Sequence, residues 1–118
     1  MQAEGNGCRE AAPGVCMKPV YVSEELVAVE TRLRRGARVP RHSHPSVQVT
    51  VVLRGRLRLE TPSWVRVLGP GVYAVVPPGV EHWGEALEDT VVLDINAPLT
   101  PDRARLLERL GWTGPKSD

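Results

Sequence analysis

The chain has 118 residues, 42% of them hydrophobic and 25% charged, with a formal net charge of +1 at pH 7. That length suits one ordinary domain able to bury a core, and the near-neutral charge provides no electrostatic basis for a nucleic-acid or anionic-membrane partner. No apolar run approaches the roughly 18 residues that a membrane helix needs, and the N-terminus lacks a charged-then-apolar targeting pattern, so a cytoplasmic location is expected.

Residues 1–18 read as a flexible N-terminal extension that holds both cysteines, Cys8 and Cys16, among Gly and Pro. A reduced, structurally incidental pair is the default expectation there, with a disulfide or a metal pair as alternatives. Residues 19–99 follow as the body of the domain. β-branched or alternating runs occupy 20–23, 25–33, 47–53, 56–61, 64–68, 72–76 and 90–95, split at short intervals by Gly and Pro. Many short strands with turn signals between them favour an all-β sandwich or barrel. Two arginine-rich stretches, Arg32, Arg34, Arg35, Arg38 and Arg41, then Arg54, Arg56 and Arg58, are interspersed with apolar residues and read as solvent-facing strand positions, with a groove for anions as the alternative. Residues 100–112 form the one expected helix. Thr100 serves as N-cap, Pro101 opens the helix, Asp102 suits its dipole, Leu106, Leu107 and Leu110 supply the apolar face, and Gly111 stops it. Residues 113–118 are a tail.

Two segments carry chemistry. Between Arg41 and Leu53 the even positions are His42, His44, Ser46, Gln48 and Thr50, whereas the odd ones from Val47 onward are Val47, Val49, Val51 and Leu53. A strand sends alternate side chains to opposite faces, so one face is polar and ligand-like and the other is aliphatic. The aliphatic face needs covering by another sheet or by a second subunit, and a homodimer is expected. The second segment runs from Gly71 through Pro77 and Gly79 to His82, a strand, a tight turn and a histidine entering the next strand. All 3 histidines of the chain fall in these two segments. Three imidazoles and an amide oxygen suit one divalent ion (Mn, Ni, Fe or Zn) and leave positions open for water or a small molecule. A surface or hydrogen-bonded role is the alternative for each histidine, and spacing alone leaves it open.

The two segments resemble the paired motifs of the cupin superfamily. GARVPRHSHPSVQVTVVLRG, from Gly36 to Gly55, keeps every spacing of the first, with Gln48 in place of the glutamate. GVYAVVPPGVEHWGEA, from Gly71 to Ala86, keeps the second, with Ala86 in place of the asparagine. The resemblance implies a double-stranded β-helix (jelly-roll) cupin barrel with a short C-terminal helix, and a metal held inside by His42, His44, Gln48 and His82. Gln48 removes one negative charge from the ligand set, which makes the ion a stronger Lewis acid, favours an anionic ligand and argues against redox chemistry.

The chain is also similar to the small cupins of pectin breakdown, which open unsaturated galacturonate to a linear keto-acid. That similarity continues through EALEDTVVLDINAPLTPD, from Glu85 to Asp102. Thr100 stands where those relatives carry an arginine and Asn96 where they carry a phenylalanine, with Arg103 and Arg41 as candidate stand-ins for the arginine. Three functions follow as expectations. The first is a non-redox isomerase, tautomerase or lyase acting on a small sugar acid or other oxygenated carboxylate, with Glu81, Glu85, Asp94 or Arg41 as candidate catalytic residues. The others are a metal-dependent dioxygenase and a non-catalytic small-molecule-binding cupin. Trp83, next to His82, should face away from the ligands.

Overall fold

Short β-branched runs broken by Gly and Pro fold into ten strands in the computed structural model, which describes residues 7–112. They are β1 (Arg9–Ala12), β2 (Val15–Val22), β3 (Val27–Leu33), β4 (Arg38–His42), β5 (Val47–Arg54), β6 (Leu57–Thr61), β7 (Trp64–Leu68), β8 (Tyr73–Val76), β9 (His82–Ala86) and β10 (Thr90–Ala97), followed by helix α1 (Pro101–Arg109). One sheet has the order β1-β2-β3-β10-β5-β8 and the other β4-β9-β6-β7, with every ladder antiparallel. This is the expected all-β jelly-roll barrel with a short C-terminal helix.

The alternation of β5 decides which residues enter the barrel. Gln48, Thr50 and Val52 are buried, Val47, Val49 and Val51 are half-buried, and Leu53 is exposed. The ligand-like face of β5 is therefore the inner one, and its aliphatic face is the outside of the barrel. There it is continuous with β8, whose Tyr73 and Val75 pair with Val51 and Val49 and are also exposed. Val15, Leu33, Val52, Leu57, Leu59 and Leu68 form the main core between the sheets. Each buried leucine there is worth about 2–5 kcal/mol relative to alanine. At the sharp turn between β5 and β6, Gly55 has φ 92°, and a Cβ there would lie 2.7 Å from Thr90 Cα, so the glycine ending the first motif is a steric requirement.

Helix α1 closes the barrel by packing Leu107 against Val22, Val27 and Val29. It ends in a Schellman arrangement, with Trp112 N–H donating to Leu107 O and Gly111 N–H to Glu108 O, Gly111 having φ 79°. Thr100 holds the N-cap position with an extended backbone, yet its hydroxyl makes no capping bond to the helix backbone. It donates to the Asp102 carboxylate at 2.5 Å instead.

Three sequence expectations need correction. Residues 9–12 and 15–18 are not a flexible extension: β1 and β2 form a hairpin whose Pro13–Gly14 step is its turn, and β2 joins the sheet through β3. Val15 and Cys16 are buried, which explains why the segment is ordered onto the barrel. Cys8 and Cys16 are joined as a disulfide, not a free pair. β4 was not anticipated before Arg41 because Pro40 interrupts it; as an edge strand of the four-stranded sheet it tolerates a residue without an N–H. Residues 1–6 and the 113–118 tail lie outside the described residues.

Candidate metal centre

Both sheets contribute to the site. His42 ends β4, His82 begins β9, and the two are register partners. His44 lies in the β4–β5 connection and Gln48 on the inner face of β5. The ligand atoms of His42, His44 and His82 all lie within 4.8 Å of one another. Their rings are close and tilted, with centroids 4.2 Å apart for His42 and His82 and 4.9 Å for His44 and His82.

The hydrogen bonds orient these rings. His42 Nδ1 lies 2.7 Å from Pro40 O, and His82 Nδ1 lies 2.9 Å from Val80 O. A carbonyl only accepts, so both Nδ1 atoms donate and both Nε2 atoms present a lone pair, the tautomer that metal ligation through Nε2 requires. His44 Nδ1 has Ser46 O and Ser46 Oγ each at 3.1 Å, one an acceptor and the other able to donate. That nitrogen stays partnered in either tautomer, so His44 Nε2 can serve as a ligand or donate to Gln48 Oε1 at 2.9 Å. His82 Nε2 is buried with no hydrogen-bond partner. Such an unmet lone pair is what a metal ion satisfies, and the residues present fit a divalent ion.

Burial disfavours the charged forms of His82 and His42. Desolvation pulls the His82 imidazolium down to about 4, opposed by the bond to Val80 O and reinforced by His42 and His44. Desolvation likewise lowers His42, against the bond to Pro40 O.

Behind Gln48 runs a polar network that the sequence reading did not foresee. Gln48 Nε2 donates to Thr50 Oγ1 at 2.9 Å, which turns Oε1 toward His44. Thr50 donates to Asp94 Oδ1 at 2.7 Å, and Thr31 donates to Asp94 Oδ2 at 3.2 Å. Asn96 Nδ2 donates to Ser46 Oγ at 3.1 Å and reaches Gln48 Oε1 at 3.4 Å. Register produces this: Thr50 is the cross-strand partner of Asp94, and Gln48 that of Asn96. Thr50 shared the parity of Gln48, which was the available signal; Thr31 had none. Burial raises the Asp94 carboxyl above its ordinary range, against the bonds from Thr50 and Thr31 and the charge of Arg103.

The remaining candidates part ways. Arg41 and Glu81 pair with each other at 2.6 Å, with Arg41 stacked 4.6 Å over the Trp83 ring, all on the outer side of β4 and β9. Glu85 is held by Arg58 at 2.9 Å. Trp83 faces away from the ligands, as parity required. Asp94 alone among the candidate acids lines the inner cavity of about 70 Å³, beside His42, Gln48, Thr50, His82 and Arg103. A wider mouth of about 340 Å³, bounded by β1, β2 and α1, opens over His42 and His44. A depression of about 390 Å³ between Arg32, Arg34 and Arg54 contains none of the four candidate ligands. Among the described residues no helix is long and apolar enough to cross a membrane.

The cupin domain family model matches residues 29–96. No curated protein gives a significant match. Among solved structures, KdgF from Halomonas sp. is 32% identical with a TM-score of 0.76, covering 80% of this chain and 88% of that one. An RmlC-like cupin from Shewanella frigidimarina is 25% identical with a TM-score of 0.76, over 80% and 86% of the two chains. A point mutant of salicylate 1,2-dioxygenase from Pseudoaminobacter salicylatoxidans, 20% identical with a TM-score of 0.71, covers 92% of this chain and 32% of its own and shares the fold. With two jelly-roll sheets, histidines converging from both motifs, and a family match over more than half its length, this chain belongs to the cupin family, as a small cupin similar to KdgF.

Proposed function

We propose that the chain is a non-redox, metal-dependent enzyme of isomerase, tautomerase or lyase type acting on a small sugar acid or other oxygenated carboxylate. His42, His44, His82 and Gln48 hold one divalent ion, Mn, Ni, Fe or Zn. The observation that carries the reading is the charge pattern: four neutral donors, with Asp94 as the one carboxylate lining the inner cavity beside them. When bound, the ion polarises a carbonyl or carboxylate oxygen and stabilises negative charge developing there. Asp94 accepts and returns a proton at Oδ2, the oxygen with the longer bond, while Thr50 fixes Oδ1. Burial places its carboxyl above the ordinary carboxylate range, toward the region where an acid–base group works.

The sugar-acid assignment is supported by the likeness to KdgF and by the run from Glu85 to Asp94 shared with the cupins of pectin breakdown. The exposed apolar stripe of Leu53, Tyr73 and Val75 supports a homodimer formed over the outer face of β5 and β8. Metal-loaded protein incubated with unsaturated galacturonate, while its ultraviolet band and oxygen uptake are followed, tests the reaction. Loss of the band without oxygen uptake, abolished in His82→Ala, is the expected result. Oxygen consumption on a phenol or thiol panel would replace this reading with a dioxygenase, and metal-dependent binding without turnover would replace it with a binding cupin. Sedimentation velocity tests the dimer.

A further inference from the structure

Arg103 sits in the first turn of α1, half-buried, and lines both the inner cavity and the mouth. His42 is the other polar residue common to the two spaces. The Arg103 Nε is buried without a hydrogen-bond partner. A guanidinium N–H that is buried without an acceptor is unfavourable, so this edge of Arg103 is suited to a partner that accepts from it. Among the described residues none accepts a hydrogen bond from it. The two acids whose charge reaches Arg103 are Asp94 and Asp102, and both are committed elsewhere. Asp94 accepts from Thr50 and Thr31, and Asp102 accepts from Thr100. Neither is hydrogen-bonded to Arg103.

The surroundings define what the missing partner is. Much of the mouth's wall is apolar, from Ala12, Val15, Met17 and Leu106, and Arg38 and Arg109 on its border add positive charge against the single acid Asp102. A neutral sugar hydroxyl would leave the positive charge uncompensated there, whereas a carboxylate matches a guanidinium in charge and in planar, paired geometry. The inner cavity, at about 70 Å³, is far smaller than the mouth at about 340 Å³. A ligand of sugar size therefore occupies the mouth and extends only part of itself toward the histidines.

We infer that Arg103 is a substrate-binding residue that grips the carboxylate of an acid seated in the mouth, orienting it against His42 and the metal centre. The assignment rests on the proposed carboxylate reading and deepens it, since it places anion selectivity on α1 and not on the barrel strands. It also gives α1 a second role besides closing the core: the helix positions a charge over the mouth.

Calorimetric titration of Ni²⁺-loaded protein with galacturonate, galactose and malonate tests this in wild type, Arg103→Gln and Arg103→Lys. Galacturonate affinity should fall about 10- to 100-fold in Arg103→Gln and less in Arg103→Lys, which keeps the charge but loses the fork. Ni²⁺ affinity should stay within about twofold, and galactose should discriminate none of the three proteins. Arg103→Lys keeps the test decisive where Arg103→Gln fails to fold. Arg103-dependent binding of malonate with no binding of galacturonate would uphold Arg103 and overturn the sugar-acid reading. Carboxylate binding unchanged in both variants, no carboxylate binding by wild type, or a parallel loss of Ni²⁺ affinity would overturn the role of Arg103.

Discussion

His42 and His82 are cross-strand partners in the β4–β9 ladder, and their rings stand with centroids 4.2 Å apart. Each Nδ1 is tied to a backbone carbonyl two residues earlier in its own chain segment, Pro40 for one and Val80 for the other. Two distant motifs thus present equivalent nitrogens to the same space, and the backbone, not other side chains, sets their tautomers.

Removing His82 should separate metal binding from folding. His82→Leu is expected to weaken Ni²⁺ binding at least about 100-fold. Metal-free His82→Leu should lose only about 1–2 kcal/mol, because the bond to Val80 O is lost while the unpartnered buried Nε2 is removed. Metal titration and thermal melting of the same preparation check the two halves.

The metal-free protein should lose stability on mild acidification. An unfolded His82 takes a proton near pH 6.5, whereas the folded one resists until about 4. Between those values the unfolded state binds more protons, so stability is complete above about pH 6.5 and falls as pH drops toward 4, by about 2–3 kcal/mol. His42 is shifted in the same direction. Denaturant melts across this range should show the slope, and His82→Leu should flatten it.

Gln48→Glu should exchange anion affinity for metal affinity. A carboxylate in the ligand set is expected to tighten Ni²⁺ binding about 10-fold and to weaken malonate binding to the loaded protein by a similar factor. Without metal the variant should be about 1–3 kcal/mol less stable, because a buried charge replaces an amide already satisfied by Thr50 and Asn96. Unchanged malonate affinity would show that the neutrality of Gln48 does not select the ligand.

Cys8→Ser should loosen the N-terminal hairpin. The bridge closes a loop with a sequence separation of 8, worth about 2–3 kcal/mol of chain entropy. Thermal melts with and without reductant should show a drop in the wild type that Cys8→Ser lacks.

Much of the inner wall was legible in the chain. The alternation of His42, His44, Gln48 and Thr50 against Val47, Val49 and Val51 identified the inward face of β5 and the segment before it, because strand parity is a local property. The same parity turned Trp83 outward. β1 and the start of β2 were missed because a hairpin turn at Pro13–Gly14 looks like a linker until its strands are seen to pair with each other and β2 with β3.

By itself the sequence determined the all-β class through short-range periodicity, and its resemblance to the two cupin motifs implied the barrel type and the grouping of His42, His44 and His82 with the neutral Gln48. Only the tertiary structure decided which charged residues reach the cavity. Arg41, Glu81 and Glu85 are as close to the ligands in sequence as any, yet they turn outward into ion pairs. Asp94 and Arg103 arrive from β10 and α1, after the last ligand in sequence, one through ladder register and the other through helix docking. Both depend on contacts between distant parts of the chain, which composition and periodicity do not encode locally.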